Sequence, residues 1–99
     1  MKERSKANDI FKSAAQKSCD KDIKGAIDDY TKALELCPDE DDLKEDLYHD
    51  RGKCFLEVRK YLEAIADFSK AIDINPKEVS DYVSRSKANR QLLNHQEFY

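Results

Sequence analysis

Apolar residues recur along this chain at intervals of three and four. In AIDDYTKALELCP, from Ala26 to Pro38, the residues Ala26, Tyr30 and Ala33 share one face, with Ile27 and Leu34 beside them. That spacing predicts an amphipathic helix. AIADFSKAIDINP, from Ala64 to Pro76, repeats the pattern with Ala64, Phe68 and Ala71 flanked by Ile65 and Ile72. Six of the 13 paired positions are identical, and five more exchange like for like, among them Tyr30 with Phe68 and Thr31 with Ser69. Each stripe alternates small and large residues. Small residues let a neighbouring helix come close, and the ring fills the space beside it. Pro38 and Pro76 predict where these helices stop, because the residue before a proline avoids the α region.

A second helix is predicted before each copy. Ahead of Ala64 runs LKEDLYHDRGKCFLEVRK, with Leu47, Tyr48, Gly52, Phe55 and Leu56 in helical register. Ahead of Ala26 runs ERSKANDIFKSAAQKS, marked by Ile10, Phe11 and Ala14. Polar turns around Cys19-Asp20-Lys21 and Arg59-Lys60 separate the members of each pair. The unit is therefore helix, tight turn, helix, proline, and it occurs twice. One further helix follows Pro76, with Val79, Tyr82, Val83, Leu92 and Leu93 as its apolar marks. Two Gly and two Pro leave little turn chemistry for a sheet, so the expected class is all-α.

Composition narrows the function more by exclusion than by assertion. Charged residues make up 39% of the chain and hydrophobic residues 39%, which predicts a thin core under a heavily charged surface. Basic and acidic residues are intermixed around a net charge of −3, without the basic stripe that tracks phosphates, so nucleic acid is not an expected partner. No run approaches the ~18 apolar residues of a membrane span, and the charged amino-terminal stretch does not read as a signal peptide. Cys19, Cys37 and Cys54 are an odd count without paired spacing, as expected of free thiols in a reducing, intracellular, cytoplasmic setting. The acidic run Asp39-Glu40-Asp41-Asp42 lacks the glycine and the spacing of a calcium loop and reads as an elongated turn. His49 and Cys54 lie five apart on one helix and so point about 140° away from each other. His95 is isolated. With no paired metal ligands and no phosphate loop, neither a catalytic site, a metal nor a cofactor is expected.

The second unit reads Tyr48-x2-Arg51-Gly52-x2-Phe55, then Ala64-x3-Phe68-x2-Ala71-x4-Pro76. This resembles the tetratricopeptide repeat, whose signature sets an aromatic, a small residue and an aromatic ahead of A-x3-F and a closing proline. The first unit follows with Ile10-x2-Ser13-Ala14 and Ala26-x3-Tyr30-x2-Ala33-x4-Pro38, although Lys17 stands at an aromatic position. A third begins with Tyr82-x2-Arg85-Ser86 and departs at Asn89. The closing prolines are 38 residues apart, beyond the ~34-residue period of the family, and the surplus falls at Asp39–Asp42. The resemblance implies one domain: repeat one over about 7–38, repeat two over about 45–76, and a half repeat or capping helix over 77–99. The expected architecture is a short right-handed helical-repeat solenoid, two antiparallel helix pairs plus a C-terminal capping helix. Val79, Tyr82, Val83 and Leu93 are expected to form the inner side of that cap, leaving no wide apolar surface beyond it.

The resemblance further implies a concave groove lined by the first helix of each unit. With Tyr48, Gly52 and Phe55 assigned to the core, the opposite stripe is Asp46, His49, Asp50, Lys53 and Leu56. Its counterparts are Asn8, Phe11, Lys12 and Ala15 on the first helix, and Val83, Lys87 and Arg90 on the last. An exposed Phe11 with Lys12, Lys53, Lys87 and Arg90 reads as a cradle for an acidic amphipathic segment. A subclass of the family clamps the carboxylate terminus of heat-shock chaperones with two Lys, two Asn and one Arg. Taken from Ala14, Gly52 and Ser86, those five positions here hold Phe11, Ala15, Asp50, Ser80 and Ser84. The expected function is therefore that of an adaptor or scaffold which holds a protein or peptide without that clamp. The alternative is a self-association or docking segment of a longer protein.

Overall fold

The structure, a computed structural model, describes residues 2–37 and 43–96, and the side chains of 5–37 and 43–94. Pro38, the acidic run Asp39–Asp42 and the terminal Phe98 and Tyr99 lie outside the described residues, as does the His95 side chain. Five helices account for nearly all of the remainder: α1 (Lys2–Cys19), α2 (Ile23–Leu36), α3 (Leu43–Glu57), α4 (Tyr61–Ile74) and α5 (Val79–Gln96). No strand occurs among the described residues. The all-α class and the two helix pairs with a fifth helix stand as expected.

Both tight turns are built the same way. Lys21 and Arg59 take positive φ, 70° and 65°. In each case the next residue closes a six-residue loop onto the preceding helix: the Asp22 N–H donates to Lys17 O at 2.8 Å, and the Lys60 N–H to Phe55 O at 2.8 Å. This is a left-handed helix stop that satisfies carbonyls orphaned at the helix end. Asp22 then caps α2, its side chain accepting the Gly25 N–H at 3.2 Å. The turns therefore repeat in geometry as well as in sequence.

Packing follows the chain order, α1 on α2, α2 on α3, α3 on α4 and α4 on α5. In addition α1 touches α3 and α3 touches α5, whereas α2 and α4 do not meet. The layer of α1, α3 and α5 is thus drawn together while the other is splayed, which makes the first layer the concave side. The molecule measures 48 × 30 × 18 Å, and its thinnest dimension is about two helix diameters, so the core is a single seam between two layers. That core falls into two clusters. The larger joins Ala14, Ala26, Tyr30 and Ala33 to Leu43, Leu47 and Cys54 across the repeat boundary. The smaller joins Ala64 and Phe68 to Ala88, with Phe55, Leu56 and Ile65 against it.

Two expectations about facing need correction. On α3, Gly52 is buried as expected, but Tyr48 and Phe55 are half-buried, with the Arg51 guanidinium 5.7 and 5.6 Å from their ring centroids. The fully packed side chains of α3 are Leu47 and Cys54, because a middle helix meets the preceding repeat as well as its own partner. On α5, Val79, Val83 and Leu93 are 68%, 61% and 61% exposed and Tyr82 is 38% exposed, so they form no inner side. The buried residues there are Asp81 and Ala88, which follow Leu47 and Cys54 by one 34-residue step. The α5 face that meets the rest of the molecule is thus the equivalent of the α3 face turned toward repeat one. Tyr82 and Ser86, equivalent to Tyr48 and Gly52, lie on the side that in α3 receives α4. An apolar surface therefore remains on α5, contrary to expectation.

Candidate functional site

Polar side chains tie the layers together before any groove can form. Within repeat two, Arg51 donates two hydrogen bonds to Asp67, Nε to Oδ2 at 2.8 Å and Nη2 to Oδ1 at 2.7 Å. The bond holds the guanidinium above its ordinary value. Burial pushes the Asp67 carboxyl up, and Arg51 works against that push. The same place in repeat one is filled by Asp29, which accepts from Ser13 at 3.0 Å and pairs with Lys17 at 2.8 Å. Lys17, at an aromatic position of the repeat pattern, is therefore used as a tie. Between repeats, Arg51 donates to the Thr31 hydroxyl at 3.1 Å and Arg85 to the Ser69 hydroxyl at 3.3 Å. These links fix the α1–α3–α5 layer over α2 and α4.

Two cavities open on that layer. One, of about 210 Å³, lies between α1 and α3 and is lined by Ala15, Ser18, Tyr30, Asp50, Lys53, Cys54 and Glu57. The other, of about 530 Å³, lies between the C-terminal halves of α3 and α5, lined by Leu56, Glu57, Arg59, Tyr61, Lys87, Gln91 and Asn94. Glu57 borders both, so the two form one interrupted groove. Tyr30 and Cys54 form a protonated floor in the first, since burial pushes both the phenol and the thiol up. Cys54 is thus a packing residue, and its sulfur lies 4.0 Å from the Ser18 hydroxyl rather than against His49.

The expected groove residues divide. Ala15, Asp50 and Lys53 meet at the first cavity, and Leu56 and Lys87 at the second. Asn8, Lys12, Asp46, Val83 and Arg90 are exposed but line neither. Phe11 is not a free groove aromatic: it is half-buried with its ring 6.0 Å from that of Tyr30, against the larger core cluster. His49 turns inward, its Nδ1 2.5 Å from Asp81 Oδ1 and its ring edge-on to Phe68. Of the four cations, Lys53 and Lys87 line different cavities and Lys12 and Arg90 line neither. Ser18, Tyr30, Cys54 and Glu57 at the first cavity, and Arg59, Tyr61, Gln91 and Asn94 at the second, are lining residues outside the expected set. Glu57 is four residues beyond Lys53 and seven beyond Asp50, so extending the same stripe by one turn finds it. Among the described residues, no group of three or more His, Cys, Asp or Glu side chains could hold a metal ion, and no helix is long and apolar enough to cross a membrane.

A family model described as Tetratricopeptide repeat matches residues 45–78. The Hsp70/Hsp90 co-chaperone CNS1 of Saccharomyces cerevisiae is 42% identical over 72 residues, 73% of this chain and 19% of the relative. The mitochondrial import receptor subunit TOM70 of Homo sapiens is 37% identical over 73 residues, 73% of this chain and 12% of the relative. This chain thus spans a fifth or less of the length of either. The solved structure of Cns1 from the same yeast superposes with a TM-score of 0.86 and 36% identity, over 93% of this chain and 30% of that one. The first repeat domain of Spaghetti (RPAP3), bound to the HSP90 peptide SRMEEVD, has the same fold at a TM-score of 0.80 and 22% identity, over 95% of this chain and 73% of that one. Residues 45–78 are a tetratricopeptide repeat, and the chain has the fold of tetratricopeptide-repeat domains.

Proposed function

We propose that this tetratricopeptide-repeat chain is a protein-interaction module that receives a peptide or helix of a partner protein on the concave face of α1, α3 and α5. The observation that carries this reading is the interrupted groove on that face, two cavities sharing Glu57. The relatives support the coarse reading by what they are, a co-chaperone, an import receptor and a domain solved with a bound peptide. The acidic-peptide mode in that last structure is a poor match to this groove. At three of the five clamp positions the chain has Asp50, Ser80 and Ser84, one carboxylate and two hydroxyls in place of the clamp's amide and cations. On α1 the register matters. Taken from Ala14 the clamp positions are Phe11 and Ala15; taken from Ala7, the other fully buried small residue, they are Arg4 and Asn8. Neither register repairs α3 and α5. We read the module as an adaptor that works without the carboxylate clamp.

Affinity capture from a lysate tests this, with the parent chain beside a variant whose groove is blocked by Ala15→Trp and Gln91→Trp. Both residues are exposed and line the cavities, so the fold should persist by circular dichroism while the captured partner is lost. Equal capture by both chains would remove the groove from the account. The second reading, self-association, is favoured by exposed Val79, Tyr82, Val83 and Leu93 along α5. Sedimentation velocity at several concentrations separates the two: a mass that rises with concentration supports pairing of chains, and a constant monomer supports the adaptor.

A further inference from the structure

Five acidic side chains among the described residues are buried or half-buried: Asp29, Glu45, Asp50, Asp67 and Asp81. Four have a partner. Asp29 has Lys17 and Ser13, Glu45 has Asn75, Asp67 has Arg51 and Asp81 has His49. Asp50 has neither a hydrogen bond nor an ion pair among the described residues. Partial burial without a compensating partner is costly to a carboxylate, and half-buried Asp50 sits in the wall of a cavity.

We propose that the cavity between α1 and α3 anchors a lysine or arginine side chain of the partner segment, its cation pairing with Asp50 and Glu57. This rests on the groove reading above and deepens it. The volume, about 210 Å³, falls below the range of small-molecule sites, about 300–1,000 Å³, and fits one inserted side chain. Its floor is Ala15, the buried ring of Tyr30 and the buried Cys54, an apolar bed for the methylene stem of a long basic residue. Its rim carries Asp50 and Glu57 on one helical stripe, about two turns apart, on either side of the place for the charged head. Lys53 stands between them on the same helix, exposed and without a salt bridge to either among the described residues. Asp46 and Asp81 add negative potential near Asp50, and His49 and Lys53 oppose it. Burial is the larger effect and pushes the Asp50 carboxyl above its ordinary value. An incoming cation would relieve that penalty, whereas an incoming carboxylate would aggravate it.

The test is a titration of the full chain, followed by ¹⁵N–¹H correlation spectra, with two probes: acetyl-Ala-Ala-Arg-Ala-Leu-amide and the same peptide with Glu in place of Arg. The arginine peptide should shift the amides of Ala15, Ser18, Asp50, Lys53 and Glu57 saturably, and the glutamate peptide should not. Asp50→Asn, nearly isosteric, should weaken the arginine peptide about ten-fold with an otherwise unchanged spectrum. Lys53→Gln, which removes the competing cation, should tighten it. Equal affinity for Asp50→Asn and the parent, or the absence of saturable shifts at those five residues, overturns the proposal. The blocking variant of the groove keeps the two claims apart: if Asp50→Asn binds normally but Ala15→Trp with Gln91→Trp still loses the captured partner, the groove stands and its anchor lies elsewhere.

Discussion

At the scale of single residues, two positions show how the solenoid is held and what hydropathy hides. Gly52 lets α4 approach α3: a Cβ there would stand 2.8 Å from Phe68 Cε1 and 3.0 Å from Cζ, closer than real carbon contacts allow. Gly52→Ala gains about 1 kcal/mol of helix propensity but overpacks against a fully buried ring, at a cost of about 1–3 kcal/mol. Urea unfolding should therefore show a net loss, and a gain would mean that Phe68 has room to move. This glycine was legible in the sequence, because the repeat pattern asks for a small residue there. Asp81 was not. It is fully buried, bonded to His49 through Oδ1 and, among the described residues, left without a partner at Oδ2, yet its charge marks it in the sequence as a surface residue of a polar helix. Its repeat counterpart is the buried Leu47, and those of His49 are Phe11 and Val83, so the pair stands where apolar residues stand in neighbouring repeats. Replacing both, His49→Leu with Asp81→Leu, should stabilise the chain by about 1–4 kcal/mol, as apolar replacement of a buried polar pair often does. A lower melting temperature would show that the pair itself secures α5.

Between elements, the two repeats use one tie position with unequal strength. The bidentate Arg51–Asp67 pair is largely buried, with side-chain exposures of 18% and 5%, so Asp67→Ala strands a buried guanidinium and should cost about 3–5 kcal/mol in urea unfolding. Lys17 and Asp29 are more open, and Asp29→Ala should cost much less. Similar losses for both would contradict this ordering. The same two sites differ in their response to acid. The Lys17 hydrogen bond holds the Asp29 carboxyl below its ordinary 3.8, with Ser13 and the charges of Lys17 and Lys32 acting in the same sense against a smaller effect of burial. A carboxyl lowered by folding adds stability above its unfolded value and loses it as pH falls through the folded one. The stability difference between the parent and Asp29→Asn should therefore be full near neutrality and vanish in strong acid. A difference that persists there would assign the effect to packing. Arg51 and Asp67 were each visible in the sequence, but nothing along the chain marks two residues 16 apart as partners. The turn geometry that pairs them is shared with Ser13 and Asp29, and only the fold displays it.

At the scale of the whole molecule, the duplicated segments made the architecture legible: two helix pairs, their turns and a fifth helix follow from spacing alone. The inner and outer sides of α5 did not follow. Its buried face is set by contact with repeat two and carries Asp81 and Ala88, neither of which a hydrophobic stripe reveals. Repeat units cannot bury their faces alone, and α5 supplies Ala88 to the cluster that holds Phe68. Removal of residues from Val79 onward should therefore lower the melting temperature sharply or cause aggregation, and an unchanged transition would show that repeat two closes its own core. Of the stripe read from the sequence, Ala15, Asp50 and Lys53 line one cavity and Leu56 and Lys87 the other, while the half-burial of Asp50 comes from the packing of α1 against α3 and has no mark along the chain. The central claim is that the face of α1, α3 and α5 receives the partner. Hydrogen–deuterium exchange on the complex with the captured partner tests it most directly. New protection is expected in α1 and α3 around Ala15–Ser18 and Asp50–Glu57, with α2 unchanged; protection confined to α2 and α4 would contradict partner binding on this face.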